Sequence, residues 1–260
     1  MSSQELSRLE HEADHHEEVL EDLGPDHDVE GQQGVHRVSG GWIRDATFGV
    51  NDGLVSVLTL LAGVAGAVEG DVVLLAGIAG LIAGAISMAV GAYVSAKAYR
   101  AYYRKELQRE VREMRDLPEV EREEIRGIYR DRGFEGDLLE RVVETITSNP
   151  RVWLKVMMSE ELGLSAQFAR PLGAAAVVFV AFVSGGIIPV VPFLFGQGLG
   201  TLAVAFGLTA LALLAAGSIR SRFTGERPVL AGLELIGMAT IGVGVAHGIG
   251  RLLDAGGLVG

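Results

Sequence analysis

The chain is 260 residues long, carries a formal net charge of −11, is 49% hydrophobic and contains no cysteine. Without cysteine there is no disulfide framework and no thiolate metal site, and the acidic balance leaves no expectation of a nucleic-acid partner. The acidity is uneven, because residues 1–45 hold 12 Asp and Glu against 3 Lys and Arg while long later stretches carry no charge at all.

From the N-terminus, residues 1–40 read as an acidic, His-containing tail. It is poor in aromatics and rich in Glu, Asp, His and Gly, so disorder is expected apart from a short helix over about residues 5–23. His11 and His15 are four residues apart, with Glu12 and His16 alongside, and a helix would bring them together. A weak metal-capture site and a plain solvated tail both fit. No apolar h-region occurs in the first 45 residues, so no cleavable signal is expected.

A helix needs roughly 20 apolar residues to cross the hydrocarbon core of a membrane. Residues 46–68 are broken only by Asn51 and Asp52, and residues 72–96 are uncharged. Residues 171–219 are also uncharged and long enough for two spans, with a break near Phe195-Gly-Gln-Gly-Leu-Gly200. Residues 229–250 form a fifth span containing Glu234 and His247. Buried helices of a soluble protein rarely run so long without a polar face. The fold class expected is therefore an all-α membrane protein with five transmembrane helices and a helical domain inserted between spans 2 and 3. The organisation is 1–40 tail, 41–98 spans 1 and 2, 99–165 helical metal-binding domain, and 166–260 spans 3 to 5.

The inserted module is dense in charge. Span 2 runs without a breaker into residues 99–116, and Pro118 starts a second helix over 119–132, closed by Gly133. A third covers about 137–147, and Asn149-Pro150 caps a fourth that stops at Gly163. Glu106, Glu110 and Glu113 form one stripe of the first helix, and Met157 and Glu161 share a face of the fourth. With Glu121, Glu124 and Met158 nearby, carboxylates and thioethers together suit a borderline divalent metal such as Fe(II). The competing reading is a solvated face of Glu–Arg pairs, since Arg104, Arg109, Arg112 and Arg126 are interleaved.

Orientation follows from basic residues near the span ends. The 4–5 loop, Ser218-Ile-Arg-Ser-Arg-Phe-Thr-Gly-Glu-Arg227, and residues 97–115 are basic, whereas residues 69–71 and 195–200 have no Lys or Arg. The N-terminus and module are thus expected in the cytoplasm and the C-terminus outside. Within the spans Asp52 is the sharpest candidate, because intramembrane ionisable residues are costly and usually functional. Asn51 can add an oxygen, and Gly49 and Gly53 permit close helix approach. An Asp52 that merely reaches the headgroups is the plainer alternative. Met88 is a soft donor among small residues that also fits simple packing. Glu234 and His247 are ambiguous pathway residues.

These motifs resemble the vacuolar iron transporter family over about residues 35–253. The likeness rests on Asn51-Asp-Gly-Leu-Val-Ser56, on Gly84-Ala-Ile-Ser-Met-Ala-Val-Gly91 with Tyr93 and Ser95, and on Met157-Met-Ser-Glu-Glu-Leu-Gly163. Pro171, Pro189, Pro192 and Arg222-Phe-Thr-Gly225 support it. The resemblance implies a five-span homodimer, with an ion path along the two-fold axis between first and second spans. It implies exchange of cytoplasmic Fe(II), often also Mn(II), for protons. Asp52 and Met88 match the family's path residues, and Glu110, Glu113, Glu121, Glu124, Met157, Met158 and Glu161 fall on the ligand pattern of its metal-binding domain. Two positions depart from it: Ala92 stands where many relatives carry Glu, and Gly80 where some do. The expectation is a non-enzymatic transporter in the lipid bilayer, in the cell membrane if the host is prokaryotic. It has no prosthetic group, with divalent metal ions and protons as its ligands. A membrane-anchored iron-binding or sensing protein with little flux is the alternative.

Overall fold

The computed structural model describes residues 40–164, 170–224 and 227–257. The expectations for the acidic tail, including the His11–His16 group, lie outside the described residues, as does Gly225. In chain order the helices are α1 (Gly40–Ala67), α2 (Asp71–Asp116), α3 (Pro118–Asp131), α4 (Gly136–Thr147) and α5 (Pro150–Val156) with a π turn, Met157–Glu161. There follow α6 (Pro171–Val190) with a 3-10 turn, Val191–Leu194, then α7 (Leu199–Thr224) and α8 (Pro228–Ala255). Among the described residues there is no strand. Five helices (α1, α2, α6 with its 3-10 turn, α7 and α8) are long and apolar enough to cross a membrane. The protein is a multi-pass integral membrane protein.

The described residues divide into two compact units, one of residues 96–164 and the other of 40–95, 170–224 and 227–257. In the second, α1 packs against α6, α7 and α8. Lipid gives apolar side chains no reason to leave the surface, so backbones approach through small residues instead. A Cβ added at Gly53 would lie 2.2 Å from the Phe182 carbonyl oxygen, and one at Gly185 would lie 2.3 Å from that of Val50. Large apolar residues point outward, as with Ile78, Ile82, Ile86, Val90 and Val94 on α2 and Ile241, Val245 and Ile249 on α8. The expected break between the third and fourth spans falls at Phe195–Gly198, where Gly198 has φ +82°.

α2 has 46 residues, more than twice the roughly 20 that a helix needs to cross the hydrocarbon core. Only its uncharged first half fits a bilayer; from Lys97 onward the sequence is charged. That charged half belongs to the other unit, where Tyr103, Leu107, Val111 and Met114 form one buried stripe against Ile125, Leu139, Val143, Trp153 and Leu154.

The local signals in this unit behave as their chemistry demands. Pro118 occupies the first turn of α3, Gly133 takes φ +89°, and the Asn149 side chain accepts from Arg151 N at 3.0 Å and Val152 N at 3.4 Å. The fourth helix differs from the expectation. It narrows to α5 and then opens into the π turn, with Leu162 N donating to Met157 O at 3.3 Å. Ser159 explains the change: its hydroxyl donates to Lys155 O at 2.8 Å and Val156 O at 3.3 Å, competing with the backbone for those carbonyls.

Candidate metal sites

The first site lies in the helical unit. Glu110 of α2, Glu121 of α3 and Glu161 of the π turn each place a carboxylate oxygen within 4.8 Å of the others. Local structure selects these three. Glu106, Glu110 and Glu113 share the α2 stripe, but the Arg109 guanidinium pairs with Glu106 at 3.0 Å and Glu113 at 3.2 Å. Neither Glu110 oxygen has a hydrogen-bond partner, and the residue is 1% exposed. Glu121 shares its face of α3 with buried Ile125 and is 4% exposed. The extra residue of the π turn seats Met157 and Met158 in the apolar core, while Glu161 joins the cluster. π turns recur where a side chain must be re-aimed for function.

Both Glu110 oxygens and Oε2 of Glu121 are buried with no N–H or O–H donor. Carboxyl faces carboxyl, an arrangement that needs a proton or a cation between them. Burial first, then the neighbouring Glu121, Glu161 and Glu113, push Glu110 up to about 9. Burial also raises Glu121. Glu161, on the open side, is pushed up to about 7 by partial burial and by Glu124 and Glu121. Three hard oxygen donors that repel one another when ionised match a divalent cation.

Of the residues the sequence nominated here, Glu110, Glu121 and Glu161 come together, and Glu124 and Glu113 act on them from the rim. Glu106 is committed to Arg109. The Glu–Arg pairing of the competing reading is present as well, for Arg126 bonds Glu140 at 2.8 Å and pairs with Glu123.

The second site lies among the spans. A cleft of about 240 Å³ is lined by Asp52, Ser56, Val57 and Leu60 of α1, Gly80, Gly84, Ser87 and Met88 of α2, and Phe182 of α6. Successive helical residues point about 100° apart, so Gly53 can press α1 onto α6 while Asp52 faces the cleft. Ser56, one turn on, donates to Asp52 Oδ1 at 2.8 Å and fixes the carboxylate. Gly84 admits the Phe182 ring, which would lie 2.5 Å from a Cβ there. One carboxylate, one thioether and two hydroxyls thus share a single concavity.

Asp52 and Met88 stand where sequence placed them, in one site. Asn51 does not join the cleft lining, and its Oδ1 is buried without a hydrogen-bond partner. Ser56 and Ser87 were missed as ligand-bearing residues, although Ser56 is legible as the i+4 neighbour of Asp52. Phe182 gave no signal, being 130 residues away in sequence. Of the two departures, Gly80 lines the cleft and Ala92 does not.

The comparisons with known proteins agree with this architecture. A family profile described as the VIT family matches residues 43–251. The chain is 36% identical over 216 residues to vacuolar iron transporter 1 of Tulipa gesneriana, covering 82% of this chain and 87% of that protein. It is 34% identical over 239 residues to vacuolar iron transporter 1 of Oryza sativa subsp. japonica, covering 91% and 95%. It is 30% identical over 262 residues to the vacuolar iron transporter of Toxoplasma gondii, covering 96% and 84%. With a five-span bundle whose intramembrane carboxylate and thioether meet in one cleft, the chain belongs to the VIT family.

Proposed function

We propose that the protein moves Fe(II), with Mn(II) as a further substrate, out of the cytoplasm in exchange for protons, and works as a homodimer. The observation that carries this reading is the meeting of Asp52 and Met88 in a cleft within the span bundle. A carboxylate attracts a dication and a thioether favours borderline Fe(II) over harder ions. The names of the relatives point to the same cargo. In this reading the helical unit of residues 96–164 lies in the cytoplasm, and Glu110, Glu121 and Glu161 capture metal there. Glu113, Glu124, Met157 and Met158 complete or support the site, and α2 contributes residues to both sites. The exposed apolar stripe of α2 is the surface that lipid or a second copy of the chain covers.

The test is metal flux in proteoliposomes under a pH gradient, for the full chain and for Asp52→Asn. Flux in the wild type that Asn abolishes supports the proposal; equal flux in both places the path elsewhere. One observation favours a second reading, a membrane-anchored metal buffer: Gly80 lines the cleft and offers it no ligand. Tight metal binding without flux in the same vesicles would establish that reading instead.

A further inference from the structure

Exchange for protons needs a group that takes up and releases one near neutral pH. Asp52 is the single ionisable residue lining the cleft. Histidine is the side chain whose ordinary range suits the task, and among the described residues His247 of α8 is the one histidine.

The packing around it is specific. A Cβ at Gly250 would lie 2.1 Å from Gly63 O, and one at Gly66 would lie 2.5 Å from His247 O and 3.0 Å from its Nδ1. Only glycine at these points lets α8 lie against α1 with no side chain between them. His247 Nδ1 consequently sits 3.0 Å from the carbonyl oxygen of fully buried Ala62. A carbonyl can only accept, so Nδ1 carries the hydrogen and proton exchange falls to Nε2.

Few other charges face it. On α1 no ionisable residue occurs between Asp52 and Glu69, and on α7 none occurs between Leu199 and Arg220. On α8 itself Arg251 and Asp254 follow, both exposed. His247 is 19 residues past Pro228, about 29 Å along the helix, a distance close to the roughly 30 Å thickness of a hydrocarbon core.

We infer that His247 is a proton-binding site at the non-cytoplasmic end of the bundle, and that its protonation sets how firmly α8 holds α1, the helix bearing Asp52. A charged donor bonds a carbonyl roughly twice as strongly as a neutral one. Protonation from outside therefore tightens α8 on α1, and deprotonation loosens it. The coupling half of this inference rests on the transport reading above; the proton site does not.

The experiment keeps the full chain. Replacing His11, His15, His16, His27 and His36 by Gln leaves His247 as its one histidine, and its ring resonance is followed by NMR in detergent micelles. Fe(II) flux against outside pH is then measured for this protein and for the same protein with His247→Gln, which keeps an N–H for Ala62 but cannot titrate. The expected result is a ring that titrates, and a flux that rises as outside pH falls through the range in which it does. On that limb a one-proton step allows about tenfold per pH unit, and His247→Gln flattens it while flux persists at its plateau. A ring that does not titrate overturns the site. An unchanged pH profile in His247→Gln overturns the coupling. A titrating ring in a protein with no flux at any pH upholds the proton site and removes both the coupling and the transport reading.

Discussion

The two carboxylate sites of this chain are built on opposite principles. In the helical unit three glutamates converge on one point, two of them almost wholly buried, and both Glu110 oxygens and Oε2 of Glu121 have no donor. In the span bundle a single carboxylate stands beside a thioether, held by a hydroxyl. Dense like charge makes a site that binds strongly and is costly when empty. One charge in low dielectric makes a site that attracts a cation without trapping it. In the proposed reading, capturing a metal and passing it on need both kinds.

The largest expected effect comes from removing the lone charge. Asp52→Asn should lower flux by about 100-fold, equivalent to about 2.7 kcal/mol at the barrier, because no second carboxylate lines the cleft. Near-isosteric Asn should leave the thermal unfolding of the protein in detergent unchanged. If flux survives, the two sites do not divide the labour.

Next in size is the triad. Glu110→Gln with Glu121→Gln should weaken Mn(II) binding to the full chain on the order of 10–100-fold, since even outer partners of a metal site are worth that much. Glu135→Ala with Glu144→Ala should leave affinity within error, because neither residue belongs to the cluster. Equal losses from both pairs, read by calorimetry, would make the region a diffuse acidic surface.

A third expectation concerns pH. Glu110, Glu121 and Glu161 all hold their protons more tightly folded than the ordinary carboxylate does. Their contribution to metal-free stability is therefore fully present below about pH 4.3 and is lost as pH rises, through about 7 for Glu161 and about 9 for Glu110. The metal-free melting temperature should fall across this window. Mn(II) should raise it most at the alkaline end, where the cation replaces the missing protons. A melting temperature that climbs with pH in metal-free protein would mean that the three carboxyls do not face one another.

The smallest effect sharpens the comparison from the cleft side. Met88→Leu conserves volume and removes the sulfur, so Fe(II) flux should fall several-fold, about 1 kcal/mol, while Mn(II), which prefers oxygen, should change less. Parallel losses for both ions would reduce Met88 to packing.

Some of this was written in the linear order of residues. Run length decided the five spans, since about 20 predominantly apolar residues leave a backbone little choice but a membrane helix. Pro118, Gly133 and Asn149-Pro150 marked the helix ends because proline, glycine and asparagine act on the backbone within a few residues of themselves. The Asp52–Ser56 pair was legible for the same reason, being one helical turn apart. What no local rule could decide is which side chains meet across elements. Glu106, Glu110 and Glu113 are equivalent on a helical stripe. Only the position of Arg109 between two of them, and the arrival of Glu121 and Glu161 from elsewhere in the chain, put Glu110 rather than Glu106 or Glu113 in the cluster. The π turn is likewise a contest between the Ser159 hydroxyl and the backbone for the same carbonyls, and it decided that Met157 and Met158 join the core while Glu161 joins the site. His247 was an ambiguous residue in sequence, and glycines on two helices, about 185 residues apart, brought it to Ala62. Periodicity assigns a residue to a face, but the competition among partners that reach that face settles what it does, and that is decided only in three dimensions.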